Sequence, residues 1–131
     1  MNKQFLTIAA VLGALAVIAG AFLAHQLKSK MPEKALEVYD TAVRYQFYHV
    51  YALLTVGIIN EKFQGPWMRR AGICFTTGIL LFSGSLYIIS ALLTAGLSIP
   101  VYLGILTPLG GTGFILGWIF LAYAVRKGFS V

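Results

Sequence analysis

Apolar residues occur along this chain in long unbroken runs, without the alternation of a half-buried strand or the polar outer face of a soluble helix. Residues 4–24, 45–60 and 71–125 contain no Asp, Glu, Lys or Arg. A helix rises about 1.5 Å per residue, so the last run alone would reach roughly 80 Å, more than twice a hydrocarbon core of about 30 Å. That run must cross a bilayer twice. The pattern predicts an all-α fold, an integral membrane four-helix bundle in a single transmembrane domain over residues 1–131, with spans at about 5–24, 41–60, 71–95 and 101–125.

Local signals set the ends of these elements. In span 1 the small residues Ala9, Gly13, Ala16, Gly20 and Ala24 recur every three or four positions, a smooth face for close helix packing. Pro32 suits a first helical position, and Glu33 and Glu37 suit the first turns, opposite the positive end of the helix dipole. Helix 2 is therefore expected from Pro32 to about Asn60, extended beyond the bilayer at its N-terminal end. Gly65-Pro66 marks the turn between Glu61 and Arg70, with Trp67 as an interfacial anchor. Gly96 to Pro100 makes spans 3 and 4 a hairpin. Inside span 4, Pro108 deprives the Gly104 carbonyl of its helical donor, and a Thr or Tyr hydroxyl is expected to replace it. Gly113 and Gly117 form a GxxxG pair that serves contact within the chain as readily as between chains.

Composition excludes a soluble domain: 59% of residues are hydrophobic, 11% are charged and the mean hydropathy is +0.83, whereas soluble domains carry about 25% charged residues. The net charge of +6 does not indicate nucleic acid, because the basic residues are scattered at the ends of apolar runs rather than gathered on one face. With four spans, Lys3, Lys62, Arg69, Arg70, Arg126 and Lys127 share one side, and Lys28, Lys30 and Lys34 take the other. The positive-inside rule then places both termini in the cytoplasm of a multi-pass protein in the inner (cytoplasmic) membrane. The first run, although preceded by Lys3 and containing Ala19-Gly20-Ala21, is longer than a signal-peptide core and is read as a span. Cys74 is the single cysteine, which excludes an intrachain disulfide and a multi-cysteine metal site; it is read as a small buried residue.

The candidate chemistry is concentrated in helix 2. Glu33, Glu37, Asp40, Arg44, Tyr48, Tyr51 and Thr55 fall within an arc of about 80° at 100° per residue, giving the helix one polar face. Asp40 lies one turn before Arg44 and can pair with it. An arginine inside a span is costly, so this one should face other helices, pair or snorkel outward; it reads as a packing anchor, or else as a site for an anionic headgroup. His49, with Tyr45 one turn earlier, lies on a neighbouring face. No carboxylate falls within a span to complete a proton relay, and His25 is the only other histidine, so a hydrogen-bonded packing role is preferred to proton handling or metal. In span 3, Thr76, Ser83, Tyr87, Ser90 and Thr94 form a hydroxyl stripe suited to bonding between helices. In span 4, Thr107-Pro108-Leu109-Gly110-Gly111-Thr112-Gly113 is read as a kink rather than as a broken helix lining a transport path.

Four segments together resemble a known family: Gly20-Ala-Phe-Leu-Ala-His25, Thr41-Ala-Val-Arg-Tyr-Gln-Phe-Tyr-His49, Leu81-Phe-Ser-Gly-Ser-Leu-Tyr87 and Leu103-Gly-Ile-Leu-Thr-Pro-Leu-Gly-Gly111, the last leading to Gly117-Trp118. In this order they resemble the YgdD-like family of small multi-span membrane proteins, a domain of unknown function found in bacteria and in eukaryotic relatives. The chain departs at Leu23, where family members usually carry glycine. The resemblance implies a four-helix inner-membrane protein and directs attention to His25, Tyr45, Gln46, His49, Ser83, Ser85, Tyr87, Thr107, Pro108, Gly110 and Gly111; Gln46 and Ser85 are its additions. It implies no reaction.

No nucleophile and base pair, carboxylate pair or cofactor motif accompanies these residues. The expectation is a membrane protein without catalytic activity, with no cofactor and no metal. It would contribute to membrane integrity, or bind lipid or a partner protein at the outer end of the bundle. Its partners would be membrane lipids and a membrane protein or a second copy of itself, not nucleic acid. The alternative is a small transporter or proton-conducting channel using Arg44 and His49. An enzyme acting on lipid would have to use His25 with Asp40 or Tyr39, and is the weakest of the readings.

Overall fold

A computed structural model describes residues 1–128. Four long helices account for most of them: α1 (Lys3–Phe22), α2 (Glu33–Ile59), α3 (Pro66–Thr94) and α4 (Val101–Gly128). The all-α expectation holds. The side chain of Asn2 accepts the Phe5 amide at 3.2 Å and caps α1. At its far end α1 runs on into a π-helical turn, Leu23–Leu27, where a basic connection was expected from residue 25. Pro32 immediately precedes α2, as its missing amide favours.

The start of α3 is the largest departure. The expected span began at Ala71, yet the helix starts at Pro66, so Arg69 and Arg70 are helical. Charge marks where apolar solvent ends, not where a helix ends, and a proline in the first turn after Gly65 at φ 148° supplies the real boundary. Arg70 lies over the Trp67 ring, 4.5 Å from its centroid. Gly96, at φ 69°, makes the turn toward α4.

Each helix is antiparallel to the next. Gly57 near the end of α2 faces Leu6 near the start of α1, while Gly20 faces Val43. The Ser83 and Ser90 hydroxyls of α3 reach the carbonyls of Ala42 and Ala35 in α2. Gly110 and Gly117 of α4 lie against Phe82 and Phe75 of α3. The α3–α4 contact is the most extensive, followed by α2–α3 and then α1–α2. Lipid chains are as apolar as leucine, so these contacts are held by dispersion and hydrogen bonds rather than by a hydrophobic drive. Glycine is what allows it: a Cβ on Gly110 would overlap the backbone of Phe82, and one on Gly117 would approach the Phe75 ring to 2.7 Å. The GxxxG pair thus serves contact within the chain, with Gly113 against the backbone of Cys74 and Gly78. Phe75, Leu53, Met68 and Val56 are the largest fully buried side chains.

Three helical segments, Lys3–Leu27, Pro66–Thr94 and Val101–Gly128, are long and apolar enough to cross a membrane. The most polar helix, α2, is not among them; Glu33, Lys34, Glu37, Asp40 and Arg44 crowd its first half.

Candidate functional site

The inward face of α2 carries Ala35, Ala42, Gln46, His49, Leu53 and Val56 at three-, four- and seven-residue spacing, all buried. Two polar residues therefore sit among small and aliphatic ones, and each is held from more than one helix. The Gln46 amide nitrogen donates to the Leu12 carbonyl of α1 at 2.8 Å, and its oxygen accepts from the Tyr87 hydroxyl of α3 at 2.7 Å. One side chain joins three helices. Tyr87 packs edge-on against Tyr39, 5.2 Å between centroids, and the Tyr39 hydroxyl donates to the Ala19 carbonyl at 2.9 Å. Tyr39 precedes the expected span, and burial pushes its hydroxyl above the ordinary tyrosine range.

His49 joins α2 to α4. Its ring stacks on Phe114 with 3.4 Å between centroids and 4° between planes. Nδ1 lies 2.7 Å from the Tyr45 carbonyl, and Nε2 lies 3.3 Å from the indole nitrogen of Trp118. A carbonyl only accepts and an indole only donates, so these partners select the neutral tautomer with its hydrogen on Nδ1. The Ser85 and Thr107 hydroxyls are 2.7 Å apart across α3 and α4. Thr107 also donates to the Leu103 carbonyl at 3.2 Å, one residue before the Gly104 carbonyl that was expected to need a hydroxyl, and α4 stays helical through Pro108. Among the described residues no buried side-chain nitrogen or oxygen lacks a hydrogen-bond partner.

The other polar face of α2 points away from the protein. Arg44 pairs with Asp40 at 3.0 Å, with the two side chains 56% and 49% exposed. Tyr48 and Tyr51 are exposed, their rings resting on Tyr45 and Phe47. Arg44 and His49 are thus about 140° apart around the helix and face different surroundings. The candidate residues form no single cluster. Gln46, His49, Ser83, Ser85, Tyr87 and Thr107 are interior; Asp40, Arg44 and Tyr48 are outward. Pro108 is exposed on α4, where Gly110 and the partly buried Gly111 meet Phe82. His25 is exposed in the π-helical turn, while Tyr39 and Asp40, its supposed partners, are engaged with Ala19 and Arg44. No group of three or more His, Cys, Asp or Glu among the described residues could hold a metal ion.

Two open clefts flank α2. One, of about 510 Å³, lies between α1 and α2 at the end where they connect, with Gly20, Leu23, Ala24, Leu36 and Val43 as apolar walls and Lys28, Glu37 and Asp40 as charges. The other, of about 460 Å³, lies between α2 and α4 and is lined by Tyr45, Phe82, Pro108, Ile115 and Trp118, with His49 at its base. Sequence reasoning named Tyr39 only as a partner for His25 and passed over Trp118 as a site residue. A signal existed for Trp118: an indole N–H in an apolar span needs an acceptor, and His49 offers one.

A family model described as a protein of unknown function, DUF423, matches residues 19–111, a range that holds all four of the segments singled out in the sequence. The chain is 43% identical over 126 residues to the UPF0382 membrane protein YwdK of Bacillus subtilis, covering 95% of this chain and 98% of that one. It is 39% identical to a UPF0382 membrane protein of Haemophilus influenzae over 100% of both chains. A third relative, the UPF0382 membrane protein SAB0533 of Staphylococcus aureus, is 42% identical over 127 residues, 95% of this chain and 97% of that one. No solved structure matches the chain.

Proposed function

The chain belongs to the DUF423 family of proteins of unknown function, and we propose that it is a non-catalytic membrane protein that crosses the bilayer four times and holds a phospholipid in the cleft between α1 and α2. Four crossings are supported by direction. α1 and α3 are both apolar enough to span, and both run antiparallel to α2. A chain that crosses twice in one direction must return between, and α2 is the element lying there. Arg44 then enters the bilayer by about one turn, paired with Asp40 and able to snorkel outward. The positive-inside rule supports cytoplasmic termini, which puts Lys28 and the cleft at the outer end, in the plasma membrane.

One observation carries the binding reading: the interior polar groups are all engaged by protein partners, whereas the cleft is open, apolar along its walls and charged at one end. That is the shape of an acyl chain beneath a headgroup, with Lys28 as the cation for the phosphate. The test is native mass spectrometry of the detergent-purified protein. Wild type should retain phospholipid, and Ala24→Trp, which fills the cleft, should release it. A wild type free of lipid, or an Ala24→Trp variant that keeps it, would refute the binding reading.

A further inference from the structure

We propose that two copies of this chain associate about a two-fold axis normal to the membrane, with the outward face of α2 from each copy at the interface. The inference rests on α2 crossing the bilayer, and goes beyond the lipid cleft, which lies to one side of this face.

The outward residues of the other helices are mostly aliphatic, Leu15, Val17 and Ile18 on α1, Leu80 and Ile88 on α3, Ile115 and Ile119 on α4; the exposed Tyr102 and Tyr123 lie near the two ends of α4, and the exposed Thr77 and Thr112 donate to carbonyls of their own helices. On α2 the stripe of Glu37, Asp40, Arg44, Tyr48, Tyr51 and Thr55 faces outward and ends in the exposed Ile58, with Tyr45 beside it. Tyr48 and Tyr51 are 52% and 61% exposed. Counting about 1.5 Å per residue from the start of the span near residue 41, Tyr51 lies about 15 Å in, at the middle of the hydrocarbon. Acyl chains offer phenols and hydroxyls no hydrogen bond there, and such groups are expected to face protein. A lipid headgroup would reach Arg44 alone.

A second copy covers the stripe. Membrane insertion gives both copies the same orientation, so the two α2 helices are parallel and equal residues meet at equal depth. A hydroxyl both donates and accepts, so Tyr51 can bond the partner's Tyr51, whereas Thr55 already donates to the Tyr51 carbonyl of its own helix at 2.9 Å and adds only a small contact surface. Asp40 and Arg44 lie one turn apart and carry opposite charge, so each arginine comes within reach of the partner's Asp40 as well as its own. The tyrosine hydroxyls of the stripe are complementary to themselves in hydrogen bonding, and the Asp40–Arg44 pairs can exchange partners across the axis. The aromatic cleft between α2 and α4 lies alongside and gives the partner's side chains a place to pack.

The experiment is cysteine crosslinking in native membranes. In a Cys74→Ser background, Tyr51→Cys and Thr55→Cys should crosslink to a species of twice the chain's mass with a short bismaleimide. The yield should be at least tenfold above that of the lipid-facing controls Leu80→Cys and Ile119→Cys. Equal yields at all four positions, no dimer at Tyr51 and Thr55, or adducts of any other mass would overturn the proposal. A membrane-impermeant maleimide separates the two levels of failure. Labelling of Tyr51→Cys in intact cells would put α2 in water and refute both readings, whereas protection without crosslinking refutes the dimer alone. Should the cysteine variants fail to accumulate, light scattering of the wild-type protein in lipid nanodiscs decides: two copies per particle is expected, and a monomer overturns it.

Discussion

The indole N–H of Trp118 in α4 meets Nε2 of His49 in α2 at 3.3 Å, while the opposite ring nitrogen of His49 is held 2.7 Å from the Tyr45 carbonyl. Both nitrogens of His49 are thereby occupied by partners that fix one neutral tautomer. A histidine that relays protons needs a free nitrogen facing water or another titrating group. His49 instead fastens α2 to α4, with Phe114 stacked on its face.

Removing that bond should weaken the fold. Trp118→Phe keeps most of the ring volume and deletes the donor, so it should lower unfolding stability in detergent by about 1 kcal/mol. His49→Ala also leaves a cavity beside Phe114 and should cost about 2 kcal/mol or more. Unchanged thermal midpoints for both would show that the contact carries no stability.

Gln46 and Tyr87 should behave as a coupled pair. Their 2.7 Å bond links α2 to α3, and a double-mutant cycle of Gln46→Ala with Tyr87→Phe should return a coupling energy of about 0.5–1.5 kcal/mol. Additive effects would mean that the two side chains act separately.

Two glycines of one helix offer a matched contrast. A Cβ on Gly110 would collide with the Phe82 backbone, whereas nothing lies within 4 Å of a Cβ on Gly104. Backbone cannot rotate away as a side chain can, so Gly110→Ala should destabilise by about 1–3 kcal/mol. Gly104→Ala should be neutral, or stabilising by up to about 1 kcal/mol, because alanine favours the helix. Equal effects in a chemical unfolding assay would contradict the close α3–α4 approach.

These contrasts mark what the sequence could and could not reveal. Uncharged runs and proline positions located all four helices, because the bilayer's thickness and the missing proline amide act locally. The start of α3 was placed five residues late, at Ala71 rather than Pro66, because Arg69 and Arg70 were read as ending the helix when they only end its apolar part. The polar stripe of α2 was legible as a stripe from the helical angle. Which side faced protein was not, since lipid and protein interior are both apolar and hydropathy does not distinguish them. Of the α3 hydroxyl stripe, Ser83, Tyr87 and Ser90 bond to α2 as the spacing suggested, whereas Thr76 and Thr94 donate to carbonyls of their own helix. Gln46 and Ser85 carried no periodic signal and came only from resemblance to a family.

The exposed Arg44–Asp40 pair should contribute little to the fold of one chain. Both side chains are about half exposed, and such pairs are worth at most about 1 kcal/mol. Arg44→Ala should therefore leave the unfolding midpoint of the detergent-solubilised protein within about 2 °C of wild type. A large loss would mean that the pair is a structural anchor rather than part of a contact surface.

On the proposed reading the interior polar residues hold the helices together while the cleft between α1 and α2 does the binding. Native mass spectrometry of wild type, Lys28→Glu and His49→Gln, purified side by side, tests it most directly. The account predicts phospholipid on wild type and on His49→Gln, with occupancy reduced several-fold in Lys28→Glu. Phospholipid lost from His49→Gln and kept by Lys28→Glu would contradict it.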